Sequence, residues 1–158
     1  MAITMTREEM DSFLKEPWLT FVSTLTPEGY PHVTPIWSYY DGEYFYMTLV
    51  DGNPKTRSLA LNNNVALAIN NDVLPYKAVI VHGTVEMIRE GIEPIVRKIV
   101  EKYVGDEQAD AIIEYAFGEN QVIAKVTPWR IYSWDQSKVD FADVLKAEKS
   151  GKAFRVPI

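Results

Sequence analysis

The sequence YPHVTPIW, residues 30–37, reads as a β-strand that carries two prolines. Proline has no N–H group to donate to a sheet ladder, so it is normally confined to edge strands and bulges. Pro31 and Pro35 are four residues apart, and residues at even spacing direct their backbone groups to the same edge of a strand. We therefore expect an open strand edge that keeps its carbonyl groups but lacks two donors. An ordinary barrel corner and an edge that accepts hydrogen bonds from a flat heterocycle both fit this pattern.

Strand signals recur on both sides of this stretch. Runs rich in β-branched and aromatic residues alternate with turn residues, such as the two-residue hairpin signal Asp41-Gly42. Gly83 lies in the middle of one run and predicts a bulge or a bend of the barrel. The predicted strands cover residues 19–25, 30–40, 43–50, 65–71, 77–88 and 121–134, the last interrupted by Pro128.

Helices are predicted between and outside these strands. A capping-box pattern at Thr6 to Glu9 opens a first helix that Pro17 ends. Asn53 followed by Pro54 predicts the start of a short helix that runs to about residue 62. Amphipathic patterns predict further helices over residues 92–103 and from residue 106 onward, and a last one near residues 141–145.

This order of elements predicts an α+β architecture that is mainly β. Consecutive antiparallel strands with helices as insertions are typical of a barrel rather than of βαβ units. We expect a single domain over residues 1–158, with a barrel core over about 19–134 and a charged tail over 138–158.

The composition excludes several classes of protein. The chain has 158 residues, of which 47% are hydrophobic, so it can bury a core and is not mainly disordered. Its net charge of −6 argues against nucleic-acid binding. No apolar run reaches the roughly 20 residues that span a bilayer, no secretory signal is visible, and cysteine is absent. We therefore expect a cytoplasmic protein with neither nucleic acid nor membrane as a partner.

A short basic segment, NPKTR at residues 53–57, lies where a helix is predicted to begin. Free N–H groups and the helix dipole favour an anion at such a position. Lys55 adds a point charge, Thr56 a hydroxyl group and Arg57 a planar fork of donors suited to phosphate. A solvated first turn with ordinary surface charges is the alternative.

No catalytic constellation is recognisable. The chain has two histidines, His32 and His82, and neither a zinc-site spacing nor a Ser-His-Asp pattern accompanies them. His82 lies within an apolar strand and is expected to be structural. The catalytic residues are therefore left unassigned, and no metal site is predicted.

The order and spacing of these features resemble the pyridoxamine 5′-phosphate oxidase-like, flavin-binding split β-barrel superfamily. The resemblance covers roughly residues 19–134 and rests on an ordered set of segments, PHVTPIW, YYDGEYFYMT, NPKTRSLALNNNVALAI, AVIVHGTVE and TPWRIYSW. It implies a six-stranded antiparallel Greek-key barrel with peripheral helices that forms a homodimer. It also implies FMN, or the deazaflavin F420, at the dimer interface.

The same resemblance implies the cofactor contacts. The residues expected along the isoalloxazine ring are Val33, Thr34, Pro35, Ile36 and Trp37. Those expected at the ribityl phosphate are Met47, Thr48, Asn53, Lys55, Thr56 and Arg57. An aromatic side chain from the second subunit would be Trp129 or Trp134.

The chain departs from the family pattern at three points. Pro54-Lys55 stands where an Arg-Lys pair is common, so Arg57 would have to supply the second phosphate ligand. Ala78 stands where a polar residue often begins the fifth strand. The long C-terminal extension that binds pyridoxal phosphate is missing, so a role in vitamin B6 synthesis is not expected.

Together these features predict an FMN-dependent oxidoreductase that acts on a small molecule by hydride or electron transfer. The cofactor would carry the redox chemistry while the protein binds and orients it. The rival hypotheses are an F420-dependent reductase of the same fold and a non-enzymatic dimer that binds flavin for sensing, storage or protection.

Overall fold

The computed structural model describes residues 4–118, 120–139 and 142. Within them the chain forms one sheet of seven strands, which are β1 (Thr20–Leu25), β2 (Pro31–Ile36), β3 (Ser38–Tyr40), β4 (Phe45–Val50), β5 (Asn64–Asn70), β6 (Lys77–Ile88) and β7 (Gln121–Asp135). Four α-helices accompany the sheet: α1 (Arg7–Lys15), α2 (Pro54–Leu61), α3 (Glu93–Val104) and α4 (Asp106–Ala116). A 3-10 turn, Gln136–Lys138, follows β7.

The sheet curls until its two ends meet. Its strand order is β2-β1-β5-β6-β7-β4-β3, and every pairing is antiparallel. The strands at the two ends of this order, β2 and β3, are separated in the chain only by Trp37. The connection through α2 brings β5 back beside β1, which is a Greek-key arrangement. The predicted mainly-β split barrel is confirmed, with seven strands instead of six because the strand expected over residues 30–40 divides at Trp37.

Alternating side chains of the strands fill the barrel. Val22, Phe45, Leu67 and Val81 are essentially inaccessible to solvent, as their period-2 spacing requires for one buried face. The apolar face of α1 and Leu59 of α2 pack into the same core. The predicted capping box holds the start of α1, because the Thr6 hydroxyl accepts from the Glu9 N–H while the Glu9 carboxylate accepts from the Thr6 N–H.

A second, smaller core lies outside the barrel. Val96, Ile99 and Val100 of α3 and Ala109 of α4 pack against Ile123 of β7. Partly buried side chains of the β2–β3 junction and the β3–β4 hairpin, among them Trp37, Tyr39 and Tyr46, complete it. The two helices therefore cover the place where the long strand divides.

Gly83 lies at a bulge, which is formed by the partner strand β7 and not by β6 itself. His82 pairs with Arg130 and Gly83 with Pro128, so Trp129 is the extra residue on β7. A Cβ atom on Gly83 would lie 2.6 Å from Val126 Cγ1 and 2.7 Å from the Thr127 carbonyl oxygen. Glycine is therefore required here by the close approach of two backbones.

Two local expectations differ from the structure. The β3–β4 hairpin has a longer loop than Asp41-Gly42, because Tyr40 pairs with Phe45 and the Asp41 N–H donates to the Tyr44 carbonyl at 3.2 Å. Pro128 does not interrupt β7, because it falls at the bulge. Apart from residue 142, the helix expected near residues 141–145 lies outside the described residues, as does most of the tail over 138–158.

Candidate functional site

The two prolines face the open edge of β2. Among the described residues β2 pairs only with β1. The Thr26 N–H donates to the Tyr30 carbonyl at 2.8 Å, so even-numbered residues direct their backbone groups to β1. Pro31, Val33 and Pro35 therefore face away from it, which confirms the expected edge. This edge offers three carbonyl groups and a single N–H, that of Val33.

The barrel splits immediately beside this edge. The β3–β4 ladder ends at the pair formed by Ser38 and Met47. Beyond it β4 continues along β7 from Thr48 to Val50, whereas β2 follows β1. The gap between β2 and the end of β4, here called the split, therefore opens beside Trp37 and Thr48. The loop to α2 leaves from the same end of β4.

Side chains of the expected ring contacts are divided between the outer face of the sheet and the interior. Val33 is 57% exposed, and Pro35 is exposed beside it. The Thr34 hydroxyl is buried without a hydrogen-bond partner among the described residues, and Ile36 packs on the core. The Trp37 ring stacks on Tyr103, with centroids 4.8 Å apart and planes at 4°. Trp37 would therefore meet a ligand in the split through its backbone.

The expected phosphate contacts gather at the end of β4 and the start of α2. Met47 is fully buried in the core, so only its backbone could reach a ligand, while Thr48 is half-buried. The Asn53 side chain caps α2 by accepting from the Thr56 N–H at 2.8 Å. The Thr56 hydroxyl is buried and bonds to the carbonyls of Val50 and Asn53, so its single proton is already in use.

Two basic side chains at this helix start differ in their contacts. The Arg57 guanidinium is exposed and donates one hydrogen bond to the Gly52 carbonyl at 2.7 Å, which leaves further donors free. Lys55 is half-buried, and burial lowers the pKa of its ammonium group. Among the described residues this ammonium has neither a carboxylate nor a carbonyl partner. The arrangement therefore places a partly desolvated, unpaired cation at a helix N-terminus, which is the environment that an anion favours.

The two candidate tryptophans lie elsewhere. Trp129 is 61% exposed at the bulge, and its ring lies 5.4 Å from that of His82. Trp134 is at the far end of β7 and lines an open cavity of about 520 Å³ together with Asn71, Lys77 and Ala78. The other end of β7 pairs with the end of β4, so the strand separates Trp134 from Asn53 and its neighbours by about 40 Å of chain contour. One chain therefore does not bring all the expected contacts together.

Two residues of α3 that hydrogen-bond to the backbone beside the split were not identified from the sequence. The Tyr103 hydroxyl accepts from the Ser38 N–H at 3.1 Å and donates to the Trp18 carbonyl at 2.7 Å. Lys102 donates to the Ser38 carbonyl at 3.0 Å. In the sequence Lys102 and Tyr103 belong to an ordinary amphipathic helix. The one available signal was Tyr103 on its apolar face, because a buried tyrosine hydroxyl usually has a hydrogen-bond partner.

Neither a metal-binding cluster nor a membrane-spanning helix is found in the described part of the chain. No cluster of three or more metal-ligating side chains occurs there. None of its helices combines the length and the apolar character needed to cross a bilayer.

Comparison with known proteins places this geometry in a family. The family model for pyridoxamine 5′-phosphate oxidase matches residues 6–135. No curated protein matches the chain. Solved structures that share the fold include a conserved hypothetical protein from Mycobacterium tuberculosis, with a TM-score of 0.72 at 22% identity over 86% of this chain and 89% of that one.

Two further structures carry names that mention a cofactor. One is named F420 Reductase, with a TM-score of 0.63 at 24% identity over 77% of this chain and 94% of that chain. The other is named a FAD-binding protein from Mesorhizobium loti, with a TM-score of 0.60 at 15% identity over 84% and 94%. At such identities the likeness shows the fold alone, whereas the family model spans most of the chain. The chain therefore belongs to the pyridoxamine 5′-phosphate oxidase family.

Proposed function

We propose that this protein is a flavin-dependent oxidoreductase that binds FMN in the split and acts on a small molecule in the cytoplasm. The observation that carries the proposal is Lys55, a partly desolvated cation without a partner at the start of α2. Burying a charge without a counter-charge is unfavourable, so such a group is best explained by an anion that binds there. The ribityl phosphate is an anion of the required kind.

The open edge of β2 suits the other end of the same ligand. The carbonyls of Pro31, Val33 and Pro35 can accept hydrogen bonds, and the Val33 N–H can donate one. A flat ring with both N–H and C=O groups matches this pattern better than another strand does, because the prolines remove two of the donors that a strand partner needs. A bound flavin supplies the hydride or electron transfer, so the chain itself needs only to bind, orient and shield it.

A homodimer would complete the site. Cross-strand register aligns Pro35, Phe21, Ala68, Ile80 and Tyr132 on the outer face of the sheet. Phe21 is 39% exposed on this face, and contiguous exposed apolar surface of this kind marks interaction sites. A second copy docked here could bring Trp129 or Trp134 to the split of the first.

The cofactor of the solved F420 reductase supports a second candidate within the same class. That protein's name mentions F420, and in this chain Lys55 and Arg57 could bind the anionic tail of F420 as well as the phosphate of FMN. We keep FMN as the first choice because one phosphate suffices to pair the half-buried ammonium group of Lys55.

The test is to identify the bound molecule and its affinity. We expect purified protein to be yellow, with an oxidised-flavin spectrum that dithionite bleaches and a mass spectrum of FMN after release. Parallel fluorescence titrations of the flavin-free protein with FMN and F420 separate the two cofactors, and light scattering measures the oligomeric state. Absence of binding to both cofactors would refute the proposal, and tight binding without turnover of nicotinamide donors or reduced F420 would favour the sensing or storage dimer.

A further inference from the structure

The long strand divides at Trp37 because α3 replaces β1 as the partner of the Ser38 backbone, although the Ser38 hydroxyl still bonds to that of Thr20 on β1. In the β1–β2 register Thr20 faces Ile36, so Trp18 would face Ser38 if the ladder continued. Instead the Tyr103 hydroxyl lies between these two backbones, accepting from the Ser38 N–H and donating to the Trp18 carbonyl. A continued ladder would join the two backbones by one hydrogen bond of about 2.9 Å. Here two hydrogen bonds through the Tyr103 hydroxyl join them instead, so the backbones of Trp18 and Ser38 are held farther apart.

The second backbone group of Ser38 is also taken by α3. Lys102 Nζ donates to the Ser38 carbonyl at 3.0 Å. The backbone of Ser38 with the side chains of Lys102 and Tyr103 is called the Ser38 clamp below. Burial lowers the pKa of Lys102 to about 8, and Glu16 is the carboxylate that partly opposes this shift. The lysine is therefore held in a partly desolvated position while it donates this hydrogen bond.

The clamp determines which way the preceding residue faces. Backbone groups alternate along a strand, so fixing those of Ser38 toward α3 directs those of Trp37 toward the split. The Trp37 ring is held by its stack on Tyr103. One tyrosine thus controls both the ring and the backbone of a residue at the edge of the split.

We propose that Tyr103, assisted by Lys102, is a positioning residue that holds the Trp37 backbone toward the split, in the orientation in which it would meet the flavin ring. The inference rests on the proposed function, because it assigns the clamp to the same site. It adds a requirement that neither the strand motif nor the basic loop supplies, since the clamp comes from a helix remote in sequence.

The test compares Tyr103→Phe with Tyr115→Phe. The first keeps the ring on Trp37 and removes only the bridging hydroxyl, and the second removes a hydroxyl from a tyrosine that is 91% exposed on α4. In flavin-free protein we expect the Ser38 amide of Tyr103→Phe to exchange with solvent at least tenfold faster. We expect its Kd for FMN to rise about tenfold and the visible circular dichroism of the bound flavin to change, while Tyr115→Phe matches the wild type.

Each outcome bears on the proposal. Unchanged Ser38 exchange, or faster exchange with unchanged FMN affinity and flavin spectrum, would show that Tyr103 is merely structural and would overturn it. The wild type is titrated with FMN and F420 before any variant is made. If it binds neither cofactor, the proposed function is refuted, whatever the variants do. If Tyr103→Phe does not fold by circular dichroism, Lys102→Met removes the other half of the clamp. For a folded Lys102→Met we expect about threefold weaker FMN binding, and wild-type affinity would contradict the inference.

Discussion

Replacing Lys55 with methionine tests the anion site at its most distinctive residue. The change keeps most of the side-chain volume and removes the charge. A hydrogen bond between charged groups contributes about 1.5–3 kcal/mol, so we expect the Kd for FMN to rise about 10- to 150-fold. The effect should shrink as ionic strength rises, because salt screens a half-buried pair in part.

Riboflavin separates the phosphate contact from every other contact. It has the same ring and ribityl chain as FMN but no phosphate, so its affinity should be the same for the wild type and Lys55→Met. Fluorescence quenching gives both dissociation constants on the same samples. Lys15→Met is the matched control, because Lys15 is exposed at the end of α1 and has no salt bridge among the described residues.

The stability of the flavin-free protein provides an independent check. The pKa of Lys55 is lowered by burial, which means that its charged form is disfavoured in the folded state. Lys55→Met should therefore unfold at the same or a higher urea concentration than the wild type.

An equal loss of affinity for FMN and riboflavin, or an unchanged affinity for FMN, would refute the assignment of Lys55 to the phosphate.

Three further perturbations test other parts of the fold. Gly83→Ala should cost about 1–3 kcal/mol of unfolding free energy in urea through overpacking, while Gly118→Ala, which has open space around the new methyl group, should cost far less; equal losses would contradict the close approach at the bulge. Thr6→Ala should cost about 1 kcal/mol by removing the cap of α1, and an unchanged urea midpoint would show that the capping box is dispensable. Lys102 has a pKa of about 8 in the folded protein against an ordinary value of 10.5, so between pH 8 and 10 the unfolded chain binds more protons at this residue than the folded one. The free energy of unfolding contributed by Lys102 therefore rises with pH over this range. Lys102→Met should lack this rise, and parallel pH profiles of unfolding for the two proteins would contradict the lowered pKa of Lys102.

Much of the fold could be read from local rules. The cap at Thr6, the bulge at Gly83 and the start of α2 at Asn53 each depend on one residue's backbone or side-chain chemistry, and each is found where predicted. The open edge of β2 follows from two missing N–H groups at even spacing. The division of the strand at Trp37 could not be read in this way, because it depends on a hydroxyl from Tyr103.

The sequence by itself determined the open edge of β2 and the basic start of α2, since proline spacing and the residues of a helix start are covalent properties of neighbouring positions. Only the tertiary structure decided which of the candidate groups are available. In the folded chain the Thr56 hydroxyl bonds to a backbone carbonyl, and the Trp37 ring stacks on Tyr103. Lys55 is left partly buried without a partner among the described residues. The physical reason is that desolvation and pairing depend on residues that are distant in sequence and meet only when the barrel closes.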